Sequence, residues 1–180
     1  MWQKLSKCYP PQVEIISLIL LAFAFYIVLS NYAILPDTIP THFDAQGIPD
    51  DWGSKNTIFL FPSLNAFIYL GCTFLNIWFA IVEDPRRLIS LPQKRLARLT
   101  EEQTEKLRIF LNRCLFLLKI LIQSLTVYGV YITIEIALAK ATGLGTPFLL
   151  FIGTIIALAS FMIWQSFRIT STHGSDVKLS

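Results

Sequence analysis

Between residues 37 and 51 the chain sets one histidine, His42, among four aspartates, Asp37, Asp44, Asp50 and Asp51. An imidazole beside a carboxylate can act as a general base or ligate a metal. In the first chemistry His42 takes the proton and Asp37 or Asp50 orients it, but no nucleophile motif accompanies them. For the second the pattern falls short, because one histidine with scattered aspartates lacks the i, i+4 ligand pair of a helical metal site. No metal or other cofactor is expected. The structural alternative gives Asp37 and Asp50 to turn amides and bonds His42 to one of them. Cys8, Cys72 and Cys114 have no CxxC or Cys/His spacing, so neither a disulfide nor a zinc site is expected.

The residues around His42 are those that shape a loop. Pro36 and Pro40 stop a preceding helix and hold the chain extended. Asp44 to Gly47 has turn chemistry, with Gly47 suited to positive φ. Pro49-Asp50 begins a second turn, Gly53 adds a flexible point, and Ser54 or Asn56 can cap a helix beyond them. The segment 36–57 is too short and broken for a domain and reads as a compact structured loop.

That loop is enclosed by strongly apolar runs. The chain is 54% hydrophobic, with a mean hydropathy of +0.57, and only 15% charged, against roughly 25% for a soluble domain. Such a chain belongs in a bilayer. Four spans are expected, at about 13–35, 58–82, 108–139 and 147–169, with a charged segment at 83–107. The whole, residues 1–180, reads as a single all-α integral membrane domain, a four-transmembrane-helix bundle. The first run exceeds the apolar stretch of a signal peptide and lacks a small-x-small cleavage site, so it reads as an uncleaved anchor.

Polar residues inside the spans fall on faces. Asn65, Tyr69, Thr73 and Asn76 share one face of the second span, and Lys119, Gln123, Thr126 and Thr133 one face of the third. Helix–helix contact is their expected role. Lys119 is placed to snorkel to the headgroups, with an ion pair to Glu14 as the sharper alternative. A second stripe, Ser124, Tyr128, Tyr131 and Glu135, could bring Glu135 to the loop. Gly153, Ala157 and Ser160 form a small-residue face on the fourth span. Thr100 to Gln103 fits a capping box, and Leu88, Leu91, Leu96 and Leu99 among basic residues suit a helix lying on an anionic surface.

Twelve of the fifteen Lys and Arg residues fall in the N-terminal tail, the 83–113 region and the C-terminal side. The positive-inside rule then puts both termini and the charged segment in the cytoplasm and the loop outside. Trp2, Trp78 and Trp164 mark the inner boundary and Trp52 the outer one. Nothing in the pattern suits nucleic acid.

The motif Leu35-Pro36-Asp37-x-Ile39-Pro40-x-His42-Phe43, followed by Gly47-x-Pro49-Asp50-x-x-Gly53-x-Lys55, resembles the signature of a bacterial membrane domain of unknown function. That domain forms the N-terminal part of SdpI-type immunity proteins and also occurs alone. The family often has Asn where this chain has Asp44, and the further spans of the full-length immunity proteins have no counterpart in these 180 residues. The resemblance implies a bacterial inner-membrane protein with the loop outside. It further implies protection against a secreted toxic peptide and sequestration of a repressor at the membrane.

Three functions compete. The first is a binding or signalling module, in which loop residues Pro36, Asp37, Pro40, His42, Phe43, Gly47, Pro49, Asp50 and Lys55 receive a peptide or envelope ligand. The cytoplasmic segment then reports to a protein partner. The second is a membrane enzyme acting on a lipid or envelope substrate with His42 as base. The third is a transporter subunit using the polar faces. The lipid bilayer is a partner in all three.

Overall fold

The structure is a computed structural model describing residues 6–8, 11–82 and 99–171. Four long helices carry it: α1 (Glu14–Asn31), α2 (Leu60–Ile81), α3 (Glu101–Ala137) and α4 (Gly145–Ser171). Between α1 and α2 lies an antiparallel hairpin, β1 (Thr38–Phe43) and β2 (Pro49–Ser54). Short 3-10 turns precede α1 (Pro11–Val13) and α2 (Lys55–Phe59). All four helices, counted with those turns, are long and apolar enough to cross a membrane. The chain is a multi-pass membrane protein whose spans contact lipid.

The expected loop is therefore a β-ribbon despite Pro40, Pro49 and Gly53. A two-stranded ribbon pairs only one edge of each strand, so a proline whose missing N–H faces the free edge breaks no ladder bond. The first helix ends at Asn31, short of residue 35, and Leu35 is instead buried beneath the hairpin with Val28, Ile39, Ile58, Val130 and Ile134. The third helix is longer than its apolar part. It starts at the Thr100–Gln103 capping box, with Glu101 and Glu102 favouring its positive N-terminal end. Residues 83–98, which hold most of the expected surface helix, lie outside the described residues.

The bundle carries a polar seam inside, beside its apolar clusters, and is apolar outside. Ile19, Phe23, Leu60, Phe67 and Leu149 are among the many large side chains exposed toward lipid. The α3 helix packs against the other three, and a polar seam on it faces inward. At one end, Asn76 Nδ2 donates to the Asn112 carbonyl and side-chain oxygens (2.9 and 2.7 Å), and Asn112 Nδ2 donates to the Asn76 carbonyl (2.8 Å). Next, Lys119 pairs with Glu14 and donates to Thr73 Oγ1 (3.1 Å), with the Phe116 and Tyr69 rings 5.1 and 5.6 Å from its Nζ. One turn on, Gln123 Nε2 donates to Asn65 Oδ1 (2.8 Å), Ser17 Oγ donates to Gln123, and Asn65 Nδ2 donates to Thr126 Oγ1 (2.6 Å).

Lys119 thus does not snorkel. Its side chain is fully buried, because α1 and α2 bring a carboxylate and a hydroxyl to it at its own depth. Bonded in this way, the seam is helix–helix contact rather than an open path. Arg108 serves a related purpose at the end of α2, where Nη1 donates to the Ala80 carbonyl (3.0 Å), one of the orphan acceptors of a helix C-terminus. The small-residue face of α4 is left uncovered by the described residues: Gly153, Ala157 and Ser160 are exposed.

Lys119→Met strips the buried Glu14 carboxylate of this cation and is expected to cost about 3–5 kcal/mol. Unfolding in mixed micelles checks this, and Glu14→Gln combined with Lys119→Met should recover most of the loss. A single variant as stable as the parent would contradict the placement of the pair.

Candidate functional site

The hairpin is fastened at its base, along β1 and at its tip. At the base, Lys55 N–H donates to the Asp37 carbonyl (2.9 Å) and its ammonium lies 3.2 Å from the Asp37 carboxylate and 5.4 Å from the centre of the Tyr32 ring. Tyr32 Oη donates to Asn56, and Ser54 Oγ accepts from Asn56 N–H (3.3 Å), opening the turn into α2. Along β1, Ile39 and Pro40 are buried, Ile39 in the cluster with Val28 and Ile134. Phe43 packs against a second cluster of Ile132, Ile136 and Leu144.

The tip is an Asx-type turn. Asp44 Oδ1 accepts from the N–H groups of Gln46 (2.9 Å) and Ile48 (2.8 Å). One carboxylate oxygen makes both bonds, and an Asn side chain would offer the same acceptor, so Asp44 fits where the resembling family often has Asn. Gly47 takes φ +77°, and its carbonyl accepts from Leu144 N–H (2.9 Å) in the α3–α4 turn. The approach is close enough that a Cβ on Gly143 would sit 2.7 Å from the Gly47 oxygen. The sequence marks Gly143 only as a turn residue. Nothing local to it reveals that the hairpin tip lands there.

His42 and Asp50 meet on the face turned away from the bundle. Their Nδ1 and Oδ1 atoms are 2.6 Å apart, and the side chains are 67% and 45% exposed. Register shifts on either side of His42 place it opposite Asp51, with the Asp50 carboxylate beside the ring. The bonded Asp50 carboxylate holds the imidazole above the ordinary histidine value, and the charges of Asp51 and Asp44 push the same way. Of the two expected orienting carboxylates only Asp50 reaches the ring, since Asp37 is turned to Lys55. Glu135 does not brace the hairpin and lies 3.6 Å from Lys140.

Beneath the hairpin, a groove of about 220 Å³ runs between Pro40, Thr41 and Phe43 and the first turns of the second span, Thr57, Leu60, Phe61 and Leu64. Leu60 and Leu64 are exposed, so the groove opens sideways where lipid would lie. His42 and Asp50 do not line it. The pair lies on an open surface, where water would not be excluded from a reacting group. Trp52 and Ile48 are half exposed on the same hairpin. Pro36 is exposed and Pro49 half-buried, so both shape the chain at the ends of the ribbon. No group of three or more metal-ligating side chains occurs among the described residues.

Residues 18–66 match the model of a domain of unknown function, DUF1648. The matched range takes in most of α1, the whole hairpin and the start of α2. A protein of Archaeoglobus fulgidus described as uncharacterized is 30% identical over 151 residues, covering 81% of this chain and 79% of the relative. No solved structure matches the chain.

Asp50 favours the imidazolium, so the pair's contribution to the hairpin is complete below the ordinary histidine pKa of about 6.5 and is lost as pH rises through the raised value. Asp50→Asn should return the His42 midpoint toward about 6.5, as followed by NMR titration of the ring. An unmoved midpoint would show that Asp50 does not hold the proton. At the tip, Gly143→Ala drives a methyl into the Gly47 carbonyl and should undock the turn. Faster hydrogen exchange at Leu144 N–H, with the bundle amides unchanged, is the expected signature.

Proposed function

The chain belongs to the family of its archaeal relative and carries DUF1648, and on that premise we propose that it is a membrane binding module that receives an extracytoplasmic ligand on segment 36–57. The observation that carries this reading is the His42–Asp50 pair, held in the open on a ribbon tied down at base, middle and tip. Residues spent on structure face the bundle, and the pair does not. A short ribbon so constrained loses little conformational freedom on binding, which is what a preformed recognition surface needs.

The surface suggests the ligand's chemistry. Asp37 pairs with Lys55 and Asp44 is engaged in its turn, while Asp50, bonded to His42, and Asp51, which accepts from Trp52 N–H (2.8 Å), stand exposed beside Trp52. A basic group would meet these carboxylates, and an apolar side chain or tail could enter the lateral groove under Thr41 and Phe43. An amphipathic peptide that partitions into the outer leaflet has both. The immunity-like role implied by the sequence resemblance is one instance of such binding.

Placing the hairpin on the outer side of the membrane rests on charge, and a bacterial inner membrane rests on the sequence resemblance. Lys7, Lys106, Arg108, Arg113 and Arg168 all fall at the end of the bundle away from the hairpin, where the positive-inside rule puts the cytoplasm. The α2 helix joins the hairpin directly to the start of the charged segment, which supports a signalling path to a cytoplasmic protein partner.

Co-purification from native membranes tests the reading. The wild-type chain should carry a species that Asp50→Ala and His42→Ala each reduce about tenfold, the worth of one charge-assisted hydrogen bond, while Lys140→Gln leaves it unchanged. Identical recoveries from wild-type and hairpin variants would reject it.

A further inference from the structure

Two walls of the groove under the hairpin stand on glycines. The Phe61 ring lies against Gly129 of α3, where a Cβ would come within 2.9 Å of Phe61 Cε1. Thr41 lies over Gly53 of β2, where a Cβ would come within 2.9 Å of Thr41 Cγ2. Both side chains line the groove. An alanine at Gly129 would push the ring off α3, and the open space that borders the ring is the groove. Gly129 thus lets α2 stand close to α3 while Phe61 stays clear of the hollow.

The lining is apolar. Among the described residues no charged side chain borders the groove, and the Thr57 hydroxyl is spent on the Ser54 carbonyl (2.8 Å). An ordered water needs two to four polar partners, so such a hollow does not hold one. Left empty, it would cost its lining the dispersion contacts on that side. Its volume of about 220 Å³ is below the roughly 300–1,000 Å³ of a site that encloses a whole ligand, so it takes part of a molecule.

The way in decides which molecule. Leu60 and Leu64, 68% and 50% exposed, form the rim, and both belong to a helix that is apolar enough to cross a membrane. The groove is therefore continuous with the lipid-facing surface, and acyl chains stand at its mouth at all times. Pro40, Thr41 and Phe43 of β1 lie over it. Transfer from lipid to protein gives an apolar chain no hydrophobic gain, so what holds it is close packing. A slender, unbranched chain in a preformed slot supplies that packing.

We propose that the groove is a lipid site, in which one acyl chain of a membrane lipid from the leaflet on the hairpin side lies beneath β1 between Phe61 and Thr41. The chain is what is recognised, not the headgroup, because no charge borders the slot. It completes the packing under β1 on the side that α3 does not cover. The site holds lipid whether or not the hairpin receives a ligand, and a ligand with an apolar tail enters by displacing the chain.

Photo-crosslinking of the full chain in phosphatidylcholine nanodiscs tests this. The probe is a phosphatidylcholine with a diazirine in the upper half of one acyl chain, and cross-linked peptides are mapped by mass spectrometry. The wild type should be labelled on β1 between Pro40 and Phe43, as well as at the exposed Ile152 and Ile156 of α4. Leu64→Trp puts a ring in the mouth of the groove at an exposed position and should lower the β1 labelling about fivefold, with α4 labelling unchanged. Gly129→Ala should do the same by moving Phe61. Should Gly129→Ala fail to fold, Leu64→Trp carries the test. A phosphatidylglycerol probe with the same chain should label β1 equally. No label on β1 in the wild type, an undiminished yield in either folded variant, or a β1 yield that depends on the headgroup overturns the proposal. Co-purification of a hairpin ligand is untouched by any of these results, so the two readings fail separately.

Discussion

A lysine buried among membrane-spanning helices must have an anion and hydrogen-bond acceptors at its own depth, and the bundle is organised to supply them. Lys119 reaches Glu14 on α1 and Thr73 on α2. This one contact ties three helices together and sets their axial positions, since a shift by one turn would part the charges. The amide pairs on either side, Asn76 with Asn112 and Asn65 with Gln123, repeat the same demand with neutral groups. Apolar side chains could not impose that register, because lipid tails solvate them as well as a neighbouring helix does.

With three helices held in register, the hairpin has a fixed platform. Ile39 enters the cluster between Val28 and Ile134, and Gly47 meets the α3–α4 turn. The order of the hairpin therefore depends on the polar seam within the spans. The hairpin's exposed face is where His42 and Asp50 pair in the open. The opposite end of the bundle is governed by charge and by the orphan groups of helix ends, as in Arg108 on the Ala80 carbonyl.

The likeness to the archaeal relative covers 81% of this chain, well beyond the matched domain, and so takes in the third helix. That breadth fits the structure, because the hairpin rests on α3 and on the α3–α4 turn as well as on the helices that flank it. A hairpin with only its two flanking helices would lack the partners of Phe43 and Gly47.

Composition and periodicity were enough to settle four apolar helices, the inward faces of the second and third, the capping box at Thr100 and the special loop around His42. These are local properties: hydropathy over about 20 residues, 3.6-residue spacing and turn-forming residue types. The sequence alone left open whether Lys119 snorkels or pairs with Glu14, because that depends on which helix stands beside it. It also left the partner of His42 between Asp37 and Asp50, and only the strand register chose Asp50. The ribbon was hidden because Pro40 read as holding the chain extended, Pro49 as opening a turn and Gly53 as a flexible point, and only the strand pairing joins them. Contacts between segments far apart in the chain, such as Gly47 on Leu144 or Gln103 with Ile169, leave no local trace, since each residue meets its partner only when the helices pack.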